Sequence, residues 1–196
     1  MTESSVVILG GGGHARVLIS ELLLLDRKVV GVLDPNLDVD QTISGVKVVG
    51  GDDKLSLYNP SEVQVVNGIG RLPKDCGRSR LLKKGVGASF DYAKVLSRNA
   101  IIHEAVEIGE GVQVLSGAVV QTGVTLGPHA VINTNSSVDH DCRVGPNVWI
   151  SPGVTICGDV RIGENSYISA GVTILQGVSL KPQTVIPAGS VVKPNS

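Results

Sequence analysis

The 196-residue sequence predicts an α/β domain followed by a parallel β-helix, and three observations carry that prediction. From Leu96 onward a six-residue period runs without interruption. Ahead of it, an apolar strand leads through Gly10-Gly11-Gly12-Gly13 into an apolar helix. Apolar residues make up 42% of the chain but aromatics only 3%, so the core must be assembled from small aliphatic side chains.

The period sets the second domain. Its lead positions, from Leu96, Ile102 and Ile108 to Ile186, are Ile, Leu or Val sixteen times in succession. Three residues after the lead, thirteen of the sixteen positions hold Gly, Asn or Asp, the types that tolerate left-handed backbone at a corner. Four after the lead comes a small or β-branched residue each time, from Ala100 to Ser190. Such a unit is a short strand and a turn, and three of them close a triangular coil. Sixteen units make a little over five coils, a column of roughly 25 Å at the strand-pairing spacing. Sandwich strands would need loop insertions, and the phase holds for 96 residues without one. A narrow interior also explains the scarcity of aromatic rings.

The first domain reads as a βαβ unit: strand 5–9, a helix through Leu25, and a strand from Val29 to Leu33 that ends at Asp34. The Gly-rich turn places free backbone N–H groups and a helix N-terminus where a diphosphate can sit, in the manner of a Rossmann-like domain. Gly10, Gly12 and Ala15 satisfy G-x-G-x-x-A, with Asp34 where a ribose-binding acid belongs. Further strands are expected only at Val46 to Val49 and Val63 to Val66, so a second mononucleotide half is missing and one sugar nucleotide fits better than NAD. A helix is expected from Lys74 to Lys84, then the linker Gly85-Val86-Gly87, which divides the chain into residues 1–87 and 88–196.

Charge and cysteine usage bound the partners. Seventeen Lys and Arg face eighteen Asp and Glu, a formal charge of −1, which argues against nucleic acid or an anionic membrane as partner. Leu22 to Leu25 is too short a run for membrane insertion. Cys76, Cys142 and Cys157 make no closed disulfide set, and the N-terminus has no signal-peptide pattern, so a cytoplasmic home is expected.

Among the histidines, His140 sits two residues after its lead, on the outer edge of a coil between Asp139 and Asp141. Its neighbours one 18-residue coil away are Thr122 and Gly158, small residues that leave room around the ring. An outward imidazole that titrates near neutrality, held by a carboxylate, suits proton removal. The plain alternatives are a solvated surface histidine, with Asp141 serving corner geometry. Cys142 lies on the inward phase and reads as packing. His103, His129 and His140 occupy three different phases, so no metal site is expected from them.

At this point the sequence resembles the bacterial nucleotide-sugar acetyltransferases of the PglD, NeuD and PerB type. The matching pieces are Gly10 to Ala15, Asp34-Pro35-Asn36, Gly68-Ile69-Gly70 and, most specifically, Asn133 to Cys142. The resemblance implies left-handed winding of the hexapeptide-repeat β-helix, and a homotrimer with active sites between subunits. It implies His140 as general base, with Asp141 raising its basicity. Gly12, Gly13, His14, Asp34, Pro35, Asn36 and Gly70 then belong to the nucleotide-sugar pocket, and Trp149, Ala170 and Ala188 to the acetyl-CoA site. The reaction implied is acetyl transfer to the amine of a nucleotide amino sugar, a 4-amino-4,6-dideoxy sugar, with acetyl-CoA as co-substrate and no metal. Two features depart from the family's pattern: Trp149 stands where many relatives carry His, and the sequence closes at Asn195-Ser196 without a Gly-x-Pro-Ala-basic tail. The rival readings are O-acetylation of a sialic acid or related sugar, a non-catalytic β-helix binding protein, and an NAD-dependent enzyme.

Overall fold

The computed structural model describes residues 4–73, 77–78 and 89–194, and the chain divides into two compact units, Met1–Val95 and Leu96–Ser196. Apart from Gly77 and Arg78, the expected helix from Lys74 to Lys84 lies outside the described residues, as do the Gly85-Val86-Gly87 linker and the 87/88 boundary.

In the first unit the apolar runs form strands β1 (Ser5–Leu9), β2 (Val29–Leu33), β4 (Val46–Gly50) and β5 (Val63–Asn67), all parallel. Helix α1 (Gly13–Leu24) links β1 to β2. The sequence reading missed β3 (Thr42–Ile43), which pairs antiparallel with β4 through Ser44 and Gly45, both with positive φ. It also missed the 3-10 helix Asp52–Leu57. The strand order β3-β4-β2-β1-β5 reverses direction between β1 and β5, and at such a switch point open α/β sheets bind ligands beyond the carboxyl ends of their strands. Val7, Leu9, Leu33 and Val65 are fully buried on one face of the sheet.

The second unit is a left-handed parallel β-helix. Its strands are two residues each, from β6 (Val95–Leu96) to β22 (Val191–Val192), one rung beyond the last expected lead. Every third strand stacks, giving three faces. The first runs from the strand Ile101–Ile102 through every third strand to β22; the second from Glu107–Ile108 to Ser179–Leu180; the third from β6 to Val185–Ile186. Pairing is parallel at 18-residue spacing, as in Val119 with Ser137 and Ser137 with Thr155. The leads and the residues four after them fill the interior, where Ile132, Ile150 and Ala130 are fully buried. Ser136 and Ser166 point inward at the small phase, and each hydroxyl donates to a backbone carbonyl, Ser151 O at 2.8 Å and Lys181 O at 3.2 Å. Trp149 and Tyr167 lie outside the prism, on the outward side of the third face, so the interior does exclude large rings.

From Ala105 to Gly189 every corner position has φ between +52° and +74°. Ala105, His129 and Gln183, the three departures from the Gly/Asn/Asp rule, adopt it too, so the coil geometry overrides residue preference there. No helix among the described residues is long and apolar enough to cross a membrane.

Gly153 isolates the corner term, because a Cβ there would meet nothing within 4 Å while φ is +68°. Gly153→Val is expected to lower unfolding free energy by about 1–2 kcal/mol. Gly153→Asn should cost less than half of that, and chemical denaturation of the two variants checks the pair.

Candidate active site

The carboxyl ends of the first unit's strands enclose a cleft of about 300 Å³, lined by Gly10, Gly12, Asp34, Pro35, Asn36, Asp52, Gly68, Ile69 and Gly70. The sequence reading brought together Gly12, Asp34, Pro35, Asn36 and Gly70 among these; Gly13 and His14 continue from Gly12 as the first residues of α1. Gly10, at φ +91°, turns the chain off β1, and a Cβ on it would stand 2.7 Å from Ile69 Cγ1. Gly68 is equally confined, since its Cβ would lie 2.5 Å from Ile8 Cγ2 and 2.8 Å from Gly10 O. Gly12 and Gly13 differ: a Cβ on either meets open space. The first turn of α1 has no acidic residue and no side-chain cap, so its positive dipole end is of the kind that suits an anion.

Asp34 holds this turn in shape. Its Oδ2 accepts the Gly11 N–H at 2.8 Å, and its Oδ1 accepts the Asn36 N–H at 2.9 Å. The expected ribose-binding acid is therefore first of all a clamp between two cleft loops. A matching clamp that the sequence did not reveal is Arg78, which is 1% exposed and donates through one terminal nitrogen to Asn67 O at 3.0 Å and Ile69 O at 3.1 Å. Burial, with Arg71 nearby, pushes its guanidinium down to about 9, so it stays a cation at neutral pH. A lone Arg in an expected helix gave no signal. Asp52 was readable in principle, since it follows directly on Gly50, the last residue of β4, and Gly51.

In the second unit the edge between the first and second faces carries His140 and Asp141, after β13 (Ser137–Val138) and before β14 (Arg143–Val144). Asp141 takes the left-handed corner at φ +60°. That conformation turns its carboxylate back on the ring, and His140 Nδ1 lies 2.8 Å from Asp141 Oδ2. The His140 N–H also donates to Asp139 Oδ1 at 2.7 Å. The ring lies against Gly158 of the next coil, where a Cβ would stand 2.6 Å from His140 Nε2. Gly158 is therefore the floor of the imidazole and not merely open space beside it. The side chain of His140 is 49% exposed. The hydrogen bond to Asp141 raises its pKa above the ordinary histidine value against an opposing cost of desolvation, and the charges of Asp139, Asp141 and Asp159 add to the rise.

Cys142 points inward, donates to Cys157 O at 3.1 Å, and has its thiol pushed up to about 11 by burial, which suits packing and not nucleophilic work. Ala170 and Ala188 are exposed one coil apart on the neighbouring edge, between the third and first faces, and Asn133 to Asn135 lie on that same edge. Trp149 is 6% exposed and clustered with Val131 and Tyr167 on the third face, which adjoins the edge of the two alanines. Among the described residues no group of three His, Cys, Asp or Glu is arranged to hold a metal ion.

Residues 5–74 match the family model of the PglD N-terminal domain, and residues 141–176 that of the bacterial transferase hexapeptide. No curated protein sequence matches the chain significantly. Among solved structures, PerB from Caulobacter crescentus in complex with CoA and GDP-perosamine shares 31% identity at a TM-score of 0.88, over 98% of this chain and 90% of its own. The chain belongs to the bacterial hexapeptide-repeat nucleotide-sugar acetyltransferases of the PglD, NeuD and PerB type. A mutant of perosamine N-acetyltransferase from Caulobacter crescentus, with one histidine replaced by asparagine and also in complex with CoA and GDP-perosamine, shares 30% identity over the same spans at a TM-score of 0.89. The acetyltransferase domain of PglB from Neisseria gonorrhoeae, in complex with acetyl coenzyme A, shares 26% identity over 98% of this chain and 92% of its own, at a TM-score of 0.89. The likeness to these family members runs through both units.

The sign of the His140 shift is testable by itself. A raised pKa means the ring holds its proton to higher pH, and the neutral form grows as pH climbs through that value. An NMR titration of the His140 ring is expected to give a midpoint above 6.5, and Asp141→Asn to bring the midpoint down; equal midpoints would contradict the contact.

Proposed function

We propose that this protein is an acetyl-CoA-dependent N-acetyltransferase acting on the amine of a nucleotide-linked amino sugar, a 4-amino-4,6-dideoxy sugar, with His140 as general base. The observation that carries the reading is the 2.8 Å contact of His140 Nδ1 with Asp141 Oδ2 on an exposed edge, in a chain related to acetyltransferases along its whole length. Asp141 keeps the proton on Nδ1, which leaves the Nε2 lone pair as acceptor. The sugar amine attacks the thioester carbonyl, a C–N bond forms as the C–S bond breaks, and the amine proton passes to Nε2 and from there to the departing CoA sulfur. The raised pKa suits both transfers, because the ring must first take a proton and then give it up. No metal enters this chemistry.

The nucleotide occupies the cleft of the first unit, its diphosphate on the N–H groups of Gly12, Gly13 and His14, with Asp34, Pro35, Asn36 and Gly70 around it. Acetyl-CoA lies along Ala170 and Ala188, where the small side chains leave an open edge, with Trp149 on the adjoining third face.

The active form is a homotrimer with its sites between subunits, working in the cytoplasm. Support comes from the outward residues of the first face, Ile101, Val119, Ser137, Thr155, Thr173 and Val191, none of them charged, whereas the second face presents Glu107, Arg143 and Arg161. That uncharged face is bounded on one side by the His140 edge and on the other by the Ala170 edge. Packing it about a threefold axis brings the His140 edge of one subunit to the Ala170 edge of the next.

A panel of nucleotide amino sugars incubated with acetyl-CoA is expected to give an amide product with at least one member. His140→Ala should lower kcat by roughly 10²–10⁴ with that substrate. Wild-type turnover in His140→Ala would remove the base assignment, and an ester product would shift the reading to O-acetylation. Thr155→Arg, on the uncharged face, is expected to convert the trimer to monomer in light scattering and to abolish activity while the circular dichroism spectrum is retained.

A further inference from the structure

The hexad phase two places after the lead carries a side chain at fifteen of its sixteen positions, from Arg98 to Ala188, and Gly158 is the exception. The backbone does not ask for glycine there. Gly158 precedes the left-handed corner, which Asp159 takes at φ +52°, and its own φ lies outside that region. Any L-residue fits such a position, as Ala170 and Ala188 do at the same phase on the neighbouring edge.

What asks for glycine is the ring of His140. A Cβ on Gly158 would stand 2.6 Å from Nε2, 2.7 Å from Cε1 and 3.2 Å from Cδ2. Approach in the plane of the ring would leave both carbons far behind Nε2, so these near-equal distances put that Cβ under the ring's face. The imidazole lies flat on the Gly158 backbone, and the in-plane lone pair of Nε2 points past it. Atoms of this kind rest about 3.5–4.0 Å apart, so a methyl group would lift the ring by about 1 Å. The rung itself is pinned: Gly158 O accepts the Gly177 N–H at 3.0 Å, the Cys157 N–H donates to Ile174 O at 2.9 Å, and the Asp159 N–H donates to His140 O at 3.0 Å. The ring is what yields. Nδ1 then leaves Asp141 Oδ2, whose carboxylate is set by the corner, and Nε2 leaves the place from which it takes the amine proton.

Resting on His140 as general base, we infer that Gly158 is a positioning residue for acetyl transfer. Its missing side chain, and not its backbone freedom, sets where the imidazole lies.

Gly158→Ala in the full-length protein tests this. The thermal unfolding midpoint should equal or exceed that of wild type, because alanine narrows the unfolded ensemble where the native φ accepts it. With the nucleotide amino sugar that the panel above identifies, kcat should fall at least tenfold while KM for both substrates stays within twofold, the effect of a displaced catalytic group. The His140 ring midpoint, followed by NMR, should drop toward the ordinary histidine value as the Asp141 contact opens. Added to His140→Ala, the substitution should change the residual rate less than twofold, because no ring is left to displace. A wild-type kcat and ring midpoint in Gly158→Ala overturn the inference and leave the base reading standing. A raised KM at full kcat also overturns it, marking Gly158 as a wall of the substrate site. So does a lowered unfolding midpoint with equal rate losses in the single and double variants, the mark of a structural glycine. A lowered ring midpoint at wild-type kcat sinks the base reading, and the positioning role with it.

Discussion

Everything in the second unit depends on one constraint: the backbone N–H groups of a rung must find carbonyls on the neighbouring coils, strand N–H groups on the coil that follows and corner N–H groups on the coil before. The Gln121 N–H to Val138 O at 2.9 Å, and the Asp139 N–H to Ile156 O at 2.9 Å, are two links of that ladder. An extended pair and a left-handed corner repeated every six residues keep it in register. Once the register is set, a residue's number decides its face, and no further folding choice is left to the chain. His140 is outward because it falls two places after Val138, and the geometry that makes Asp141 its partner is the φ of +60° which the corner imposes in any case. The contact that tunes the base thus arises from the same dihedral that turns the coil.

This is also why so much of the second unit was legible in the sequence. A strict period converts one-dimensional order directly into three-dimensional position, and His140, Asp141 and Gly158 could be placed relative to each other by counting. Counting could not supply the role of Gly158, since an absent Cβ reads as space until the ring is seen lying in it. Nor could it show that Trp149 is buried with Val131 and Tyr167, because the phase says only that the residue points outward and not what lies against it.

The first unit was legible in its strands and glycines and less so in its wiring. Apolar runs mark β1, β2, β4 and β5, whereas two-residue β3 is too short to show a pattern. G-x-G-x-x-A with a downstream acid suggested a ribose contact at Asp34. The carboxylate also spans two loops, a use that depends on where Gly11 and Asn36 come to lie in space. Arg78, far along the chain and within a weakly patterned segment, restrains the carbonyls of the third loop from below. With Asp34 on one side and Arg78 on the other, the cleft is built around backbone groups already held in place, an arrangement that lowers the ordering cost of binding any ligand.

Burial along the column is uneven. Leu96, Ile102 and Ile108 at one end, and Leu180, Ile186 and Val192 at the other, are only partly covered, while the rungs between are sealed. In a stack whose stability is a sum of nearest-neighbour terms, thermal opening starts at such ends and works inward. β13 and β14 sit mid-column, so the base belongs to the segment that exchanges its amide protons last. The column can fray several rungs from either end in the course of its ordinary fluctuations and still present an intact imidazole.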